Sequence, residues 1–136
     1  MNNDFRLYTS KQAFKIYNEN CGDGLFPQKS DMFFWCVALG YKNSPDKVPS
    51  SLTAERHGEI HWGAFDDEIQ KPFLNMVAVE AGGGFEVLGK NKENTDKFRD
   101  VIQAYAELGF TILITHMSGH FTDEKLMEIV IENIEI

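Results

Sequence analysis

Residues 30–43 read SDMFFWCVALGYKN, and eight consecutive apolar side chains, residues 32–39, stand in their middle. Ser30 can cap a helix here, Asp31 complements the positive end of its dipole, and Gly40 sits where helices commonly turn left-handed to stop. A helix that is apolar on every side has to be covered on every side. Either one 136-residue chain supplies all of that cover, or a second chain supplies part of it, and Met32, Trp35 and Cys36 are the positions at stake.

The length suits one domain, residues 1–136, large enough to bury a core without disulfides or metals. At 43% hydrophobic and 25% charged residues the chain is globular, not disordered. No apolar run approaches the roughly 18 residues of a membrane span, and MNNDFRLYTS has no basic segment followed by an apolar one. The expectation is a cytoplasmic protein with no membrane partner. Cys21 and Cys36, without a C-x-x-C, then read as small buried hydrophobes.

The net charge of -8 is unevenly placed. Residues 1–66 carry seven Lys/Arg against eight Asp/Glu, whereas residues 67–136 carry six against thirteen. A surface that neutralises phosphates belongs, if anywhere, to the first half; the acidic half suits solubility or a basic protein partner.

Outward from the opening stretch, Thr9 and Gln12 have capping-box spacing, and Ala13, Phe14, Tyr17 and Cys21 follow at helical spacing with Gly22 as the stop. Residues 42–65 read as a connector broken by Pro45, Pro49 and Gly58. Asp66, Asp67 and Glu68 charge the start of a helix whose body, PFLNMVAVEA, has Pro72 in its first turn and Gly82, Gly83 and Gly84 at its end. In NTDKFRDVIQAYAELG, the residues Phe98, Val101, Ile102, Tyr105 and Leu108 mark one face, with Asn94 or Thr95 as cap and Gly109 as close. Residues 110–117, FTILITHM, are β-branched enough for a short strand but lack pairing candidates. Thr122 caps a last helix with an acidic outer face. The fold class is mainly α: a compact helical domain of about five to six helices, with one short β segment near residues 110–117 left open.

Three constellations bear on chemistry. GFEVLGKN, residues 84–91, nearly spells a phosphate loop, but Asn91 replaces the hydroxyl residue and no helix rises directly from Lys90. It reads better as a helix stop and turn. His57 with His61, and His116 with His120, have H-x-x-x-H spacing that on helices could close a zinc site; Gly58 and Gly119 interrupt both segments, so surface histidines are the plainer reading and no metal or cofactor is expected. Trp35, Tyr41, Lys42, Lys47, Arg56 and Trp62 set aromatics beside bases, as a protein hot spot or a nucleic-acid grip would, or simply as core and solvated charge.

The order of signals from FPQKSDMFFWCVALGYKNSPDKVP through IHWGAFDDE to FRDVIQAYAELGFTIL resembles the small accessory proteins encoded beside Dnd systems, the bacterial DNA phosphorothioation and anti-phage defence gene clusters. Lys29, Asp31, Ala38, Leu39, Gly40, Tyr41 and Lys42 carry the likeness, then Val48, Pro49, Ile60, Trp62 and Phe65, then Tyr105, Ala106 and Gly109. Ser30 departs by standing inside the family's Lys-Asp pair, and the connector is less basic than the family's. The resemblance implies a helical fold, favours helix for residues 110–117, and implies a non-enzymatic accessory role with no catalytic residues. The resulting expectation is an accessory subunit that binds a protein encoded in the same operon, or a further copy of itself, through Trp35, Tyr41, Lys42 and Trp62. The alternatives are a nucleic-acid module using Lys29, Lys42, Lys47 and Arg56, and a metal-dependent enzyme using the four histidines.

Overall fold

The computed structural model describes residues 2, 4–49, 56–117 and 121–134, with the side chains of 133 and 134 left aside. Five α-helices, two short 3-10 turns (Trp62–Ala64 and Phe85–Leu88) and one two-stranded sheet make up its regular structure, the helices and strands in the order β1 (Arg6–Thr9), α1 (Lys11–Asn20), α2 (Lys29–Asn43), β2 (His57–His61), α3 (Gln70–Gly82), α4 (Lys92–Met117) and α5 (Asp123–Ile134). The mainly-α expectation holds.

Residues 110–117 are not a strand. They are the last turns of α4, a 26-residue helix about 39 Å long at 1.5 Å per residue. Phe110, Leu113 and Met117 fall on its buried side, so helical periodicity and burial override β-branched propensity. The β structure lies instead within residues 6–9 and in the segment read as a connector. β1 pairs antiparallel with β2, matching Leu7 with Ile60 and Arg6 with His61, with an irregularity between Leu7 and Thr9. Leu7 and Ile60 enter the core while Arg6 and Glu59 form an exposed ion pair at 3.7 Å.

Several expected ends move. Ser10, not Thr9, caps α1 by accepting from the Ala13 amide at 3.2 Å; Thr9 is held in β1, where its hydroxyl donates to the carbonyls of Ser10 and His57. Gln28, not Ser30, precedes α2, and Asp31 reaches back to the Gln28 amide at 3.1 Å. Ser30 is buried. Asn91, not Asn94 or Thr95, supplies the acceptor at the start of α4, taking the Asn94 amide at 2.8 Å. The expected acidic start of α3 and the expected Thr122 cap of α5 both hold. Asp66 Oδ1 accepts the amides of Glu68, Ile69 and Gln70, and Thr122 accepts the Lys125 amide.

Gly40 and Gly109 end nothing. α2 continues to Asn43 and α4 to Met117, and the two glycines lie where those helices touch. A Cβ on Gly40 would overlap the Tyr105 carbonyl, and one on Gly109 would overlap the Cys36 carbonyl. Each glycine costs about 1 kcal/mol of helix propensity relative to alanine, which the closer backbone approach offsets through packing. Gly83, at φ +100°, does end its helix, and Gly22, at φ +89°, follows the cap of α1 as expected.

One hydrophobic core runs through every element. Phe5, Trp62 and Phe98 meet edge to face, with centroids 5.5–6.3 Å apart, and Trp62 and Phe65 carry that cluster to Phe33 of α2. Met32, Phe33, Cys36 and Val37 have no exposed surface. The chain therefore covers Met32 and Cys36 by itself.

Candidate functional site

The apolar helix α2 is not covered equally all round. Phe34, Trp35, Ala38 and Tyr41 are half-buried, and they fall along one side because they are spaced i, i+1, i+4, i+7. Phe73 of α3 reaches over this side, 5.3 Å from Phe34 and 6.3 Å from Tyr41 between ring centroids. Tyr41 also meets Tyr105 of α4 edge-on at 5.6 Å, and Phe26 lies 6.5 Å from Trp35. These pairs hold the rings in fixed orientations while leaving part of each surface accessible. Lys42, exposed, ends the stripe.

Two links lock the stripe in place. The Tyr105 hydroxyl donates to the Ser44 carbonyl at 2.7 Å, pinning the end of α2 to α4. At the other end, the Gln70 amide nitrogen donates to Asp31 Oδ1 at 3.0 Å, joining the starts of α2 and α3.

The residues singled out from sequence thus separate. Trp35, Tyr41 and Lys42 share one side of α2, whereas Trp62 is only 2% exposed and serves the aromatic core. Of the bases, Lys42 and Lys47 are exposed near the end of α2. Lys29 begins the same helix about 20 Å away by helical rise, and its ammonium lies 5.1 Å from the Phe14 ring centroid. Arg56 sits beside Tyr8, 5.3 Å from the ring centroid. The four do not form one cluster. Phe34 and Phe73 belong to the stripe and were missed; Phe34 was legible from its i, i+7 relation to Tyr41, whereas Phe73 is brought there only by packing.

The histidines are dispersed as well. His57 and His61 lie on a strand, where four residues span about 13 Å, too far for a shared ion. His116 is committed to Ile112 and Glu132: Nδ1 lies 2.9 Å from the Ile112 carbonyl and Nε2 lies 2.9 Å from Glu132 Oε2. Two acceptors require both ring nitrogens to donate, which is the imidazolium, and the Ile112 carbonyl followed by the Glu132 carboxylate raises the His116 pKa. His120 lies outside the described residues. Among the described residues no group of three His, Cys, Asp or Glu is placed to hold a metal ion.

The glycine-rich segment follows helix α3, not a strand. Gly84 has φ +128°, Phe85–Leu88 form a 3-10 turn, and α4 begins at Lys92, not at Lys90 itself but earlier than a cap at Asn94 or Thr95 implies. A groove of about 670 Å³ opens there between Asp4 and Lys90. Both thiols are suppressed as nucleophiles: burial pushes Cys36 up to about 12 and Cys21 up to about 11.

Among the described residues no helix is long and apolar enough to cross a membrane. No curated protein and no solved structure matches the chain. One family model does match, over residues 10–135, so nearly the whole folded chain from the cap of α1 to the end of α5 is covered, and the chain belongs to the family of DNA sulphur modification system-associated protein 4.

Proposed function

We propose that the chain is a non-enzymatic accessory subunit of a DNA sulphur modification system and that it works in the cytoplasm by holding a protein encoded in the same operon. The observation that carries this reading is the half-buried aromatic side of α2, with Trp35 and Tyr41 held rigidly by Phe26, Phe73 and Tyr105 and with Lys42 at its end. Rigid, partly exposed aromatics beside a charge are what interface hot spots are made of, since little side-chain entropy is lost when a partner covers them. Membership of a family associated with such a system supports seeking the partner among its proteins.

The test is binding between the purified chain and each purified protein of its host's modification system at micromolar concentration. Trp35→Ala with Lys42→Glu is expected to weaken the complex at least about ten-fold, a loss typical of hot-spot truncation, with an unchanged circular dichroism spectrum. Retention of none of these proteins ends the proposal. A shift of duplex or single-stranded DNA that weakens steeply with salt and is lost in Lys42→Glu with Lys47→Glu would replace it with the nucleic-acid reading.

A further inference from the structure

Resting on that reading of the chain as a protein-binding subunit, we propose that the outer face of α5 is a second docking strip, and that its occupant is a DNA-binding protein of the same system, held by its Lys/Arg-lined DNA surface. α5 is amphipathic twice over. Its inner side is anchored by Ile129, fully buried, and by Leu126 against the core. Its outer side leaves Met127 57% and Ile131 49% exposed, one turn apart and aligned.

Carboxylates rim this apolar pair. At about 100° per residue, Asp123 falls on one flank and Glu124, Glu128 and Glu132 on the other, so the strip covers about half the circumference of the helix. All four acids are exposed, and Glu132, at the edge nearest α4, also accepts from His116 at 2.9 Å, so among the described residues Asp123, Glu124 and Glu128 carry the rim's unpaired charge. The one basic residue of α5, Lys125, is turned away, its ammonium donating to the Met117 carbonyl at 2.8 Å. Along the axis, Glu124, Glu128 and Glu132 repeat about every 6 Å.

The sign of the rim selects the occupant. A second copy carries the same net charge of -8, and like charges oppose its approach. DNA and anionic lipid are repelled for the same reason. A groove built to bind DNA presents rows of Lys and Arg for a row of phosphates, and a row of carboxylates around two apolar anchors complements it. Occupation of that groove by α5 excludes DNA from it.

Binding of the intact chain to each purified protein of the modification system, by fluorescence anisotropy, tests this. At least one is expected to bind, to be displaced by duplex DNA, and to bind at least about ten-fold more weakly at ~200 mM than at ~50 mM salt. Glu124→Lys with Glu128→Lys, and separately Met127→Ser with Ile131→Ser, should each weaken it at least about ten-fold. Both pairs are surface changes, and thermal unfolding confirms that they stay folded. Three outcomes overturn the inference: both variants bind as tightly as the wild type, DNA fails to compete, or the strip variants instead abolish self-association of the chain, which makes a second copy the occupant. If the wild type binds no protein of the system, the subunit reading itself fails, whereas loss of binding in the Trp35 and Lys42 variants alone leaves that reading standing without α5.

Discussion

Gly109 of α4 lies against the backbone carbonyl of Cys36 on α2 with no room for a Cβ between them. The contact is reciprocated one turn away, where Gly40 of α2 lies against the Tyr105 carbonyl of α4. Gly109→Ala should therefore cost about 3 kcal/mol through forced separation of the two helices, despite better helix propensity. Gly40→Ala should act in the same direction. Urea unfolding measures both, and a loss below about 1 kcal/mol at Gly109 would show that the crossing yields easily.

The Tyr105 hydroxyl satisfies the carbonyl of Ser44 where α2 ends. Its loss in Tyr105→Phe should cost about 1 kcal/mol, and amide exchange at the end of α2 should accelerate more than exchange in the middle of α4. Equal acceleration in both places would assign the effect to general destabilisation.

The bond between His116 and Glu132 ties α5 to α4, and the raised pKa of His116 fixes its pH dependence. The folded value lies above the ordinary 6.5, so the contribution is fully present below that pH and fades as pH rises through the folded value. Because His116 is exposed, the effect is small and weakens with salt. Between pH 5.5 and 8.5, the wild type should lose a few degrees more of thermal midpoint than Glu132→Gln (about 1 kcal/mol or less). Identical pH profiles for the two proteins would show that the bond does not contribute.

Cys36 is sealed within the core and Cys21 is half-covered, both with thiols held protonated by burial. In the native protein at pH 8, iodoacetamide should label Cys21 slowly and Cys36 more slowly still, and both should react rapidly in denaturant. Mass spectrometry of tryptic peptides resolves the two sites. Rapid native labelling of Cys36 would mean that the α2–α4 contact opens readily.

Much of the helical architecture was legible because apolar spacing is a local property. Phe98, Val101, Ile102 and Tyr105 announced α4, Asp66 announced the start of α3, and Thr122 that of α5. Cap positions at α1, α2 and α4 were displaced by one to four residues, because several neighbouring Ser, Thr, Asn and Gln side chains compete for the same amides. The strand in HGEIH was not legible: only Ile60 points inward, and one apolar residue makes no pattern. As for the candidate site, Trp35, Tyr41 and Lys42 were found from the residue types alone. Trp62 looked identical on that basis, and only its neighbours Phe5, Phe65 and Phe98 place it inside.

The amino-acid sequence by itself determined a mainly helical protein, the apolar character of α2, the acidic second half and membership of the family, since each of these is carried by local pattern or by composition. Tertiary structure alone decided what Gly40 and Gly109 do. A glycine in a helical sequence reads as a stop when nothing is known of its surroundings, because it lacks a Cβ and costs helix propensity. The same missing Cβ allows two backbones to touch, and whether a second backbone arrives is settled 69 residues away along the chain, between Gly40 and Gly109.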